Sequence, residues 1–236
     1  MKALRICLYQ ETACYKKPFA FKVGETYPLP PYSTVKGWLH TVLKAKSLIP
    51  MQISIQGYHE SKILDYQTHY FFKKYNSKEL PIILDGLPGA SCQFEDITQM
   101  PIYVHLLYNV SLLIHVVGED DVLQQIKNQL DASDIHPSLG RWEDLARVDE
   151  CRFVKLQKSE SMRAIANDVY VPLDVLDEYV NRIPYRLNWT YEIKNGVRTW
   201  NTVDVGYVSK GEEFEEGESL EDELGDLVFL YPESNG

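Results

Sequence analysis

Tyr27-Pro28-Leu29-Pro30-Pro31-Tyr32-Ser33-Thr34-Val35-Lys36-Gly37-Trp38-Leu39-His40-Thr41-Val42-Leu43-Lys44-Ala45-Lys46 is the stretch on which the fold turns. Its prolines fix φ and push their predecessors toward extended conformations, so residues 27–31 form a stiff approach. Val35, Trp38, Leu39, Val42 and Leu43 recur at helical spacing and predict a helix through about Lys46, with Ser33 or Thr34 as its cap. Upstream, Leu4, Ile6 and Leu8 alternate with Arg5, Cys7 and Tyr9, the period of a half-buried strand. Downstream, Pro50 stops the helix, and Met51, Ile53 and Ile55 alternate as a second strand.

The pattern then repeats. Ile102 to Val117 reads as a third, strongly apolar strand ended by Gly118. Glu119, Asp120 and Asp121 suit a helix N-terminus, and Val122, Leu123, Ile126 and Leu130 continue at helical period. Cys151 to Leu156 alternates as a fourth strand. The order β, α, β, insertion, β, α, β is an α+β, ferredoxin-like βαββαβ plan, which is also that of the RRM fold. Residues 1–160 are expected to form this domain, with an arm inserted at about 58–101. Such a long insertion is unusual in a compact domain unless functional. Residues 161–236 are expected to be a smaller, mostly β extension. It should hold a short helix near 173–180, a hairpin turning at Asn195-Gly196, an acidic segment at 211–226 read as a mobile solvated loop, and a last strand from Val228 to Tyr231.

Of 236 residues, 44% are hydrophobic and 25% charged, which excludes a mainly disordered chain. No apolar run approaches the roughly 18 residues of a membrane span, and the first residues lack a signal peptide's pattern, so a cytoplasmic protein with no membrane partner is expected. Cys7, Cys14, Cys92 and Cys151 form no C-x-x-C pair, and the six histidines show no ligand spacing; neither a metal nor a cofactor is expected. The net charge of −10 conceals an asymmetry. Residues 1–78 hold 12 Lys/Arg against 4 Asp/Glu, residues 79–210 hold 12 against 20, and residues 211–236 hold none against 10. A basic, aromatic-rich N-terminal third suits a polyanion on one face, because phosphate affinity follows local charge; chance clustering on a solvated surface would give the same count.

Four groups could carry chemistry. Pro31 to Gly37 offers free helical N–H groups, Lys36 in the first turn and Gly37 for close approach, a plausible phosphate seat or simply a well-capped helix. Lys16 and Lys17, interleaved with Tyr15, Phe19 and Phe21, could track a sugar-phosphate backbone or form a solvated hairpin. In the arm, Tyr66, Gln67, His69, Tyr70, Lys73 and Lys74 mark a partner contact. Ser138-Leu139-Gly140-Arg141-Trp142-Glu143-Asp144-Leu145 is either a turn with an internal Arg141–Asp144 pair or an arginine aimed at phosphate. His40, four residues after Lys36, is the one enzymatic candidate. The pair could serve as base and charge stabiliser in metal-independent RNA cleavage, or His40 could be a packing residue. No P-loop, paired carboxylates or nucleophile elbow supports another chemistry.

Tyr9-Gln10-x-Thr12-Ala13-x-Tyr15-Lys16-Lys17-Pro18, Gly24-Glu25-Thr26-Tyr27-Pro28-Leu29-Pro30-Pro31-Tyr32-Ser33-Thr34-Val35-x-Gly37 and Ser138-Leu139-Gly140-Arg141-x-Glu143-Asp144-Leu145-Ala146 together resemble the Cas-five family of CRISPR-associated RAMP proteins, most closely its type I-B branch. The resemblance implies a non-catalytic subunit of a Cascade surveillance complex that grips the 5′ handle of the crRNA and caps the backbone filament. It implies RNA contact at Lys16, Lys17, Tyr27, Ser33, Thr34, Lys36, Gly37 and Arg141. It also makes the arm, about Tyr66 to Lys74, the family's thumb. The implied partners are an adjacent Cas-seven-family backbone subunit, a Cas-eight-family large subunit and, through the complex, target DNA. A type I-C branch cuts precursor crRNA itself, which keeps an endoribonuclease using His40 and Lys36 as a second reading. A stand-alone RRM-like RNA-binding protein is a third.

Overall fold

The computed structural model describes residues 1–18, 20, 23–74, 94–132 and 137–232; the side chains of 71–74 and 94–97 lie outside that description. It is a mixed α/β structure, mostly sheet. The strands are β1 (Lys2–Ala13), β2 (Val23–Gly24), β3 (Gln52–Lys74), β4 (Phe94–Val117), β5 (Arg147–Lys158), β6 (Arg163–Ala164), β7 (Asp168–Pro172), β8 (Ile183–Lys194), β9 (Val197–Val208), β10 (Glu213–Phe214), β11 (Leu220–Asp222) and β12 (Leu227–Val228). The helices are α1 (Tyr32–Val42) and α2 (Asp120–Asp131).

The four long strands of the first 160 residues lie in the order β5-β1-β4-β3. β1 pairs antiparallel with both β4 and β5, and β3 antiparallel with β4, so each helix connects two parallel strands with a third between them. α1 and α2 touch each other on one face. Leu4, Ile6, Leu8, Ile53, Ile55, Leu112, Ile114 and Val116 point there and bury against Val35, Leu39, Leu123 and Ile126. Each such side chain contributes about 1.5–3 kcal/mol by leaving water.

α1 departs from the expected boundaries. Pro31 (φ −58°, ψ 152°) precedes its first turn, no side chain caps it, and Ser33 and Thr34 sit inside the helix. The carbonyl of Pro31 already accepts the amides of Thr34 and Val35, so the proline rather than a hydroxyl sets the start. The helix ends at Val42, short of Lys46, because Lys44 turns left-handed at φ 52°.

Of the arm expected at 58–101, residues 75–93 lie outside the described residues, and 58–74 and 94–101 belong to the outer parts of β3 and β4, paired with each other. β3 and β4 keep one register from Gln52–Val117 to Lys73–Asp96, skipping only Glu60 and Asn109 (φ 56°), and shift once to reach Lys74–Phe94. The third strand therefore begins at Phe94 rather than Ile102. The helix expected near 173–180 is a series of turns, in which Leu176 is held down on Gly206. The hairpin at Asn195-Gly196 is present, both residues having positive φ (53° and 75°), as a two-residue turn joining β8 and β9 requires.

Residues 161–232 extend the sheet at both edges. β7 pairs with β3 and is followed by β9 and β8, while β11 joins β5 and β12 joins β11. Between these edges the chain crosses the face opposite the helices, over a polar row formed by Arg5, His115 and Ser54, which lie in register on β1, β4 and β3. Asp222 meets His115 Nε2 at 3.0 Å, the amide of Phe229 donates to Ser54 Oγ at 3.2 Å, and Gln56 donates to the carbonyl of Leu227 at 2.8 Å. Tyr231 then exchanges two backbone bonds with Ile53. From Ser219 on, the acidic segment is thus part of a strap rather than a solvated loop, while Glu213, Glu215, Glu216, Glu218 and Glu223 are exposed. Asp222 and Glu221 are buried, Phe214 packs on Phe229, and Arg5 lies 2.8 Å from Asp226, 2.7 Å from Glu150 and 3.2 Å from Asp222. Glu221, Asp222 and Asp226 are held where Arg163 and Arg5 offset their desolvation.

Candidate nucleic-acid interface

After β1, residues 14–27 double back on themselves. Lys16 bridges Thr26, the amide of Tyr27 donates to the carbonyl of Tyr15, and that of Lys17 to Glu25. Tyr15 is buried and donates its phenol to Gln10 Oε1 at 2.6 Å, while Gln10 Nε2 donates to the carbonyls of Leu139 and Asp144. Gln10 therefore ties the base of this excursion to the turn at 138–146. At the excursion Lys16 is exposed. Lys17 is half-buried, with Nζ 3.3 Å from Glu25 and 5.6 Å and 5.9 Å from the ring centres of Tyr185 and Tyr27. Tyr27 is buried, edge-on to Tyr185, so its ring is structural rather than open for stacking. Phe19 and Phe21 lie outside the described residues.

The turn at 138–146 is built around the buried Asp144. Its Oδ2 accepts the amides of Cys14 (2.9 Å) and Arg141 (2.8 Å), and its Oδ1 lies 2.7 Å from the Arg141 guanidinium. A second carboxylate, Glu143, lies 2.7 Å from the same guanidinium. Gly140 has φ +116°, and a Cβ there would fall 2.8 Å from Asp144 Oδ2, so glycine is required. Of the two readings of this motif, the internal pair is what forms. Arg141 spends its fork on two carboxylates, which cancels most of the charge it could offer a phosphate, and Trp142 stands beside it 85% exposed.

Ser33, Lys36, Gly37 and His40 do come together, in a cleft of about 410 Å³ between α1 and the β8–β9 hairpin. Thr34 is not among its lining residues. The opposite wall is Trp189, Thr190, Tyr191 and Trp200, and the rim includes Lys46, Ser47 and Leu48. β8 shifts register between Asn188 and Thr190, leaving Trp189 out of the ladder; its carbonyl turns to accept Lys36 Nζ at 2.5 Å. The same ammonium lies 3.6 Å from the Trp189 ring centre. Burial pushes Lys36 down to about 8 from an ordinary 10.5. Tyr191 and Trp200, half-exposed cross-strand partners, meet edge to face at 5.3 Å, and Arg198 stacks over Tyr191 at 4.6 Å. A larger cleft of about 490 Å³, beside the strap, is lined by Met1, Gln52, Lys158 and Ser219 and contains none of the sequence candidates.

His40 is committed to the backbone on both sides. Its Nε2 accepts the amide of Ile49 at 2.9 Å, which leaves Nδ1 as the protonated nitrogen, donating to the carbonyl of Lys36 at 2.8 Å. It fastens the chain after α1 onto the helix.

On the arm, Tyr66 and Tyr70 are exposed, and Tyr66 is edge-on to its cross-strand partner Tyr103 at 5.5 Å. Gln67 donates to Asp65 at 2.8 Å, and His69 is exposed. The side chains of Lys73 and Lys74 lie outside the described residues. The aromatic wall of the α1 cleft was not identified from the sequence. Its signal is the pair Trp189-x-Tyr191 and Trp200 placed symmetrically about Asn195-Gly196.

Among the described residues no helix is long and apolar enough to cross a membrane. No curated protein matches the chain by sequence. Among solved structures, a chain of a "CRISPR RNA-guided surveillance complex" superposes with a TM-score of 0.55 at 14% identity, over 89% of this chain and 91% of that one. A CRISPR protein from Archaeoglobus fulgidus does so with a TM-score of 0.50 at 10% identity, over 97% and 98%. At such identities these likenesses speak to the fold. A model of the family described as "CRISPR-associated protein (Cas_Cas5)" matches residues 3–217, nearly the whole chain, and the chain therefore belongs to the CRISPR-associated Cas5 family.

Proposed function

We propose that this chain is the crRNA-binding, non-catalytic Cas5 subunit of a cytoplasmic Cascade-type complex of the type I-B branch, built on a ferredoxin-like core. It holds the 5′ handle at Lys16 and at the α1 cleft. Its β3–β4 arm serves as the thumb against a neighbouring Cas-seven-family subunit. The large Cas-eight-family subunit and target DNA are reached through the complex. The observation that carries this reading is the cleft itself, where a buried lysine, a bare glycine and exposed indole and phenol rings face one space. Single-stranded RNA is gripped by that combination, through phosphate charge and base stacking.

Two further observations weigh between the alternatives. An RRM binds RNA on the sheet face opposite its helices, and here that face carries Arg5, His115 and Ser54 beneath the strap. His40 has both ring nitrogens in backbone hydrogen bonds, which favours a scaffold over an endoribonuclease using it as base. The test is to mix the purified chain with labelled precursor crRNA without divalent metal, following binding and cleavage on one gel with His40→Ala alongside. Uncut RNA, stably retained once the partner subunits are added, is expected. Site-specific cleavage that disappears in His40→Ala would transfer the chain to the processing nucleases.

A further inference from the structure

We propose that the cleft between α1 and the β8–β9 hairpin is a pocket for one unpaired nucleotide of the bound RNA, with the base stacked on Trp200 and bordered by Tyr191, and the phosphate held by Lys36 and Lys46. This rests on the crRNA-binding reading and adds to it a site, a stoichiometry of one base, and the residues that grip it.

Lys36 is 6% exposed, lines the cleft, and among the described residues has no carboxylate within ion-pair distance. Of its three N–H donors, one is spent on the carbonyl of Trp189. A desolvated ammonium lacking an anion is costly, and a phosphate oxygen entering the cleft would supply what is missing. Lys46, exposed at the rim, adds a second cation.

The aromatic wall provides the other half of a nucleotide's chemistry. Trp200 and Tyr191 are 37% and 46% exposed, and both line the cleft. Trp189 differs, being edge-on to Tyr32 and Tyr231 and capped by Lys36, so it forms the floor. Arg198 over Tyr191 extends the cationic edge outward. Opposite, a Cβ at Gly37 would meet nothing within 4 Å, so this wall is bare where a sugar must approach. The volume falls within the roughly 300–1,000 Å³ typical of small-ligand pockets. A protein partner would need one aromatic and one anionic side chain placed together to match this lining, whereas a single nucleotide carries both.

Because Gly37 faces open space, Gly37→Leu fills the cleft without colliding with the fold, and Trp200→Ala removes the platform at a partly exposed position. The probe is single-stranded handle RNA carrying 2-aminopurine at successive positions, mixed with the full chain, alone and with its partner subunits. Stacking should quench one position and spare the rest. Both variants should abolish that quench and lower affinity by about tenfold or more. Binding that is sensitive to Lys16→Glu/Lys17→Glu, yet shows no quenched position or is unchanged by both variants, would overturn the pocket and leave the crRNA reading standing. Absence of any RNA binding by the wild-type chain in either setting would overturn both. Variants that keep the RNA quench but lose a partner subunit would assign the cleft to a protein instead.

Discussion

Asp222→Asn tests the strap where it is most sensitive. Asp222 Oδ2 lies 3.0 Å from His115 Nε2 and 3.2 Å from Arg5 Nε, and Oδ1 accepts the amides of Leu224 and Asp226 at 2.9 Å and 3.0 Å. Burial pushes this carboxyl up, but the hydrogen bonds from His115 and the two amides outweigh it and hold it at about 2, below the ordinary 3.8. A carboxyl depressed in the folded state contributes stability that is fully present above its unfolded value and is lost as pH falls through its folded value. At 1.36 kcal/mol per unit the contribution is about 2 kcal/mol, lost between about pH 5 and pH 2. The amide keeps an acceptor for the two backbone N–H groups but presents an NH₂ to Arg5 and His115, setting donor against donor. Removing one partner of a buried pair costs about 3–5 kcal/mol, which the remaining Arg5 contacts with Asp226 and Glu150 reduce to about 2–3 kcal/mol. Urea unfolding followed by tryptophan fluorescence, from pH 7 down to pH 2.5, reads both quantities. The variant should be less stable at pH 7 and should converge on the wild type as pH falls. Equal stability at pH 7, or two profiles parallel throughout, would refute the account.

Three other outcomes are expected. Lys36 is lowered to about 8 by burial, so the unfolded chain binds its proton more tightly between pH 8 and 10.5. Across that window wild-type stability should rise while RNA affinity falls, and Lys36→Met should flatten both trends in parallel melting and filter-binding titrations. Lys16→Glu/Lys17→Glu should shallow the slope of log affinity against log salt by about 1.4, two phosphate contacts at about 0.7 each; an unchanged slope would place the RNA elsewhere. Gly140→Ala, strained at φ +116° and forced against Asp144, should cost about 1–3 kcal/mol in thermal melts and loosen the Arg141 turn.

What was legible in the sequence was local. Leu4, Ile6 and Leu8 announce β1 by alternation, Val35 to Leu39 announce α1, and Asn195-Gly196 its hairpin, because each signal lies within a few residues of its consequence. What was not legible depended on partners far along the chain. Asp222 read as solvated because Arg5 and His115, which it meets, lie more than 100 residues upstream. The Trp189 carbonyl and ring that engage Lys36 were equally hidden, because they are brought to it by a bulge that no local pattern marks. Arg141 carried both its readings within four residues, and only the geometry of Gly140 and Asp144 selected between them.

The strap also imposes an order of events on the nascent chain. β3–β4 and β8–β9 are pairs of strands consecutive in the chain and can form early, whereas β1 must wait about 100 residues for β4 and longer for β5. Even then the sheet stays incomplete, because the outer edge of β5 and the Arg5–His115 row remain open until residues 219–231 emerge from the ribosome. For that interval the chain presents an unpaired strand and an uncovered buried-type cation. Open edges of this kind template intermolecular pairing. Translation that stalls before residue 219 should therefore yield aggregates or chaperone clients rather than a smaller folded core.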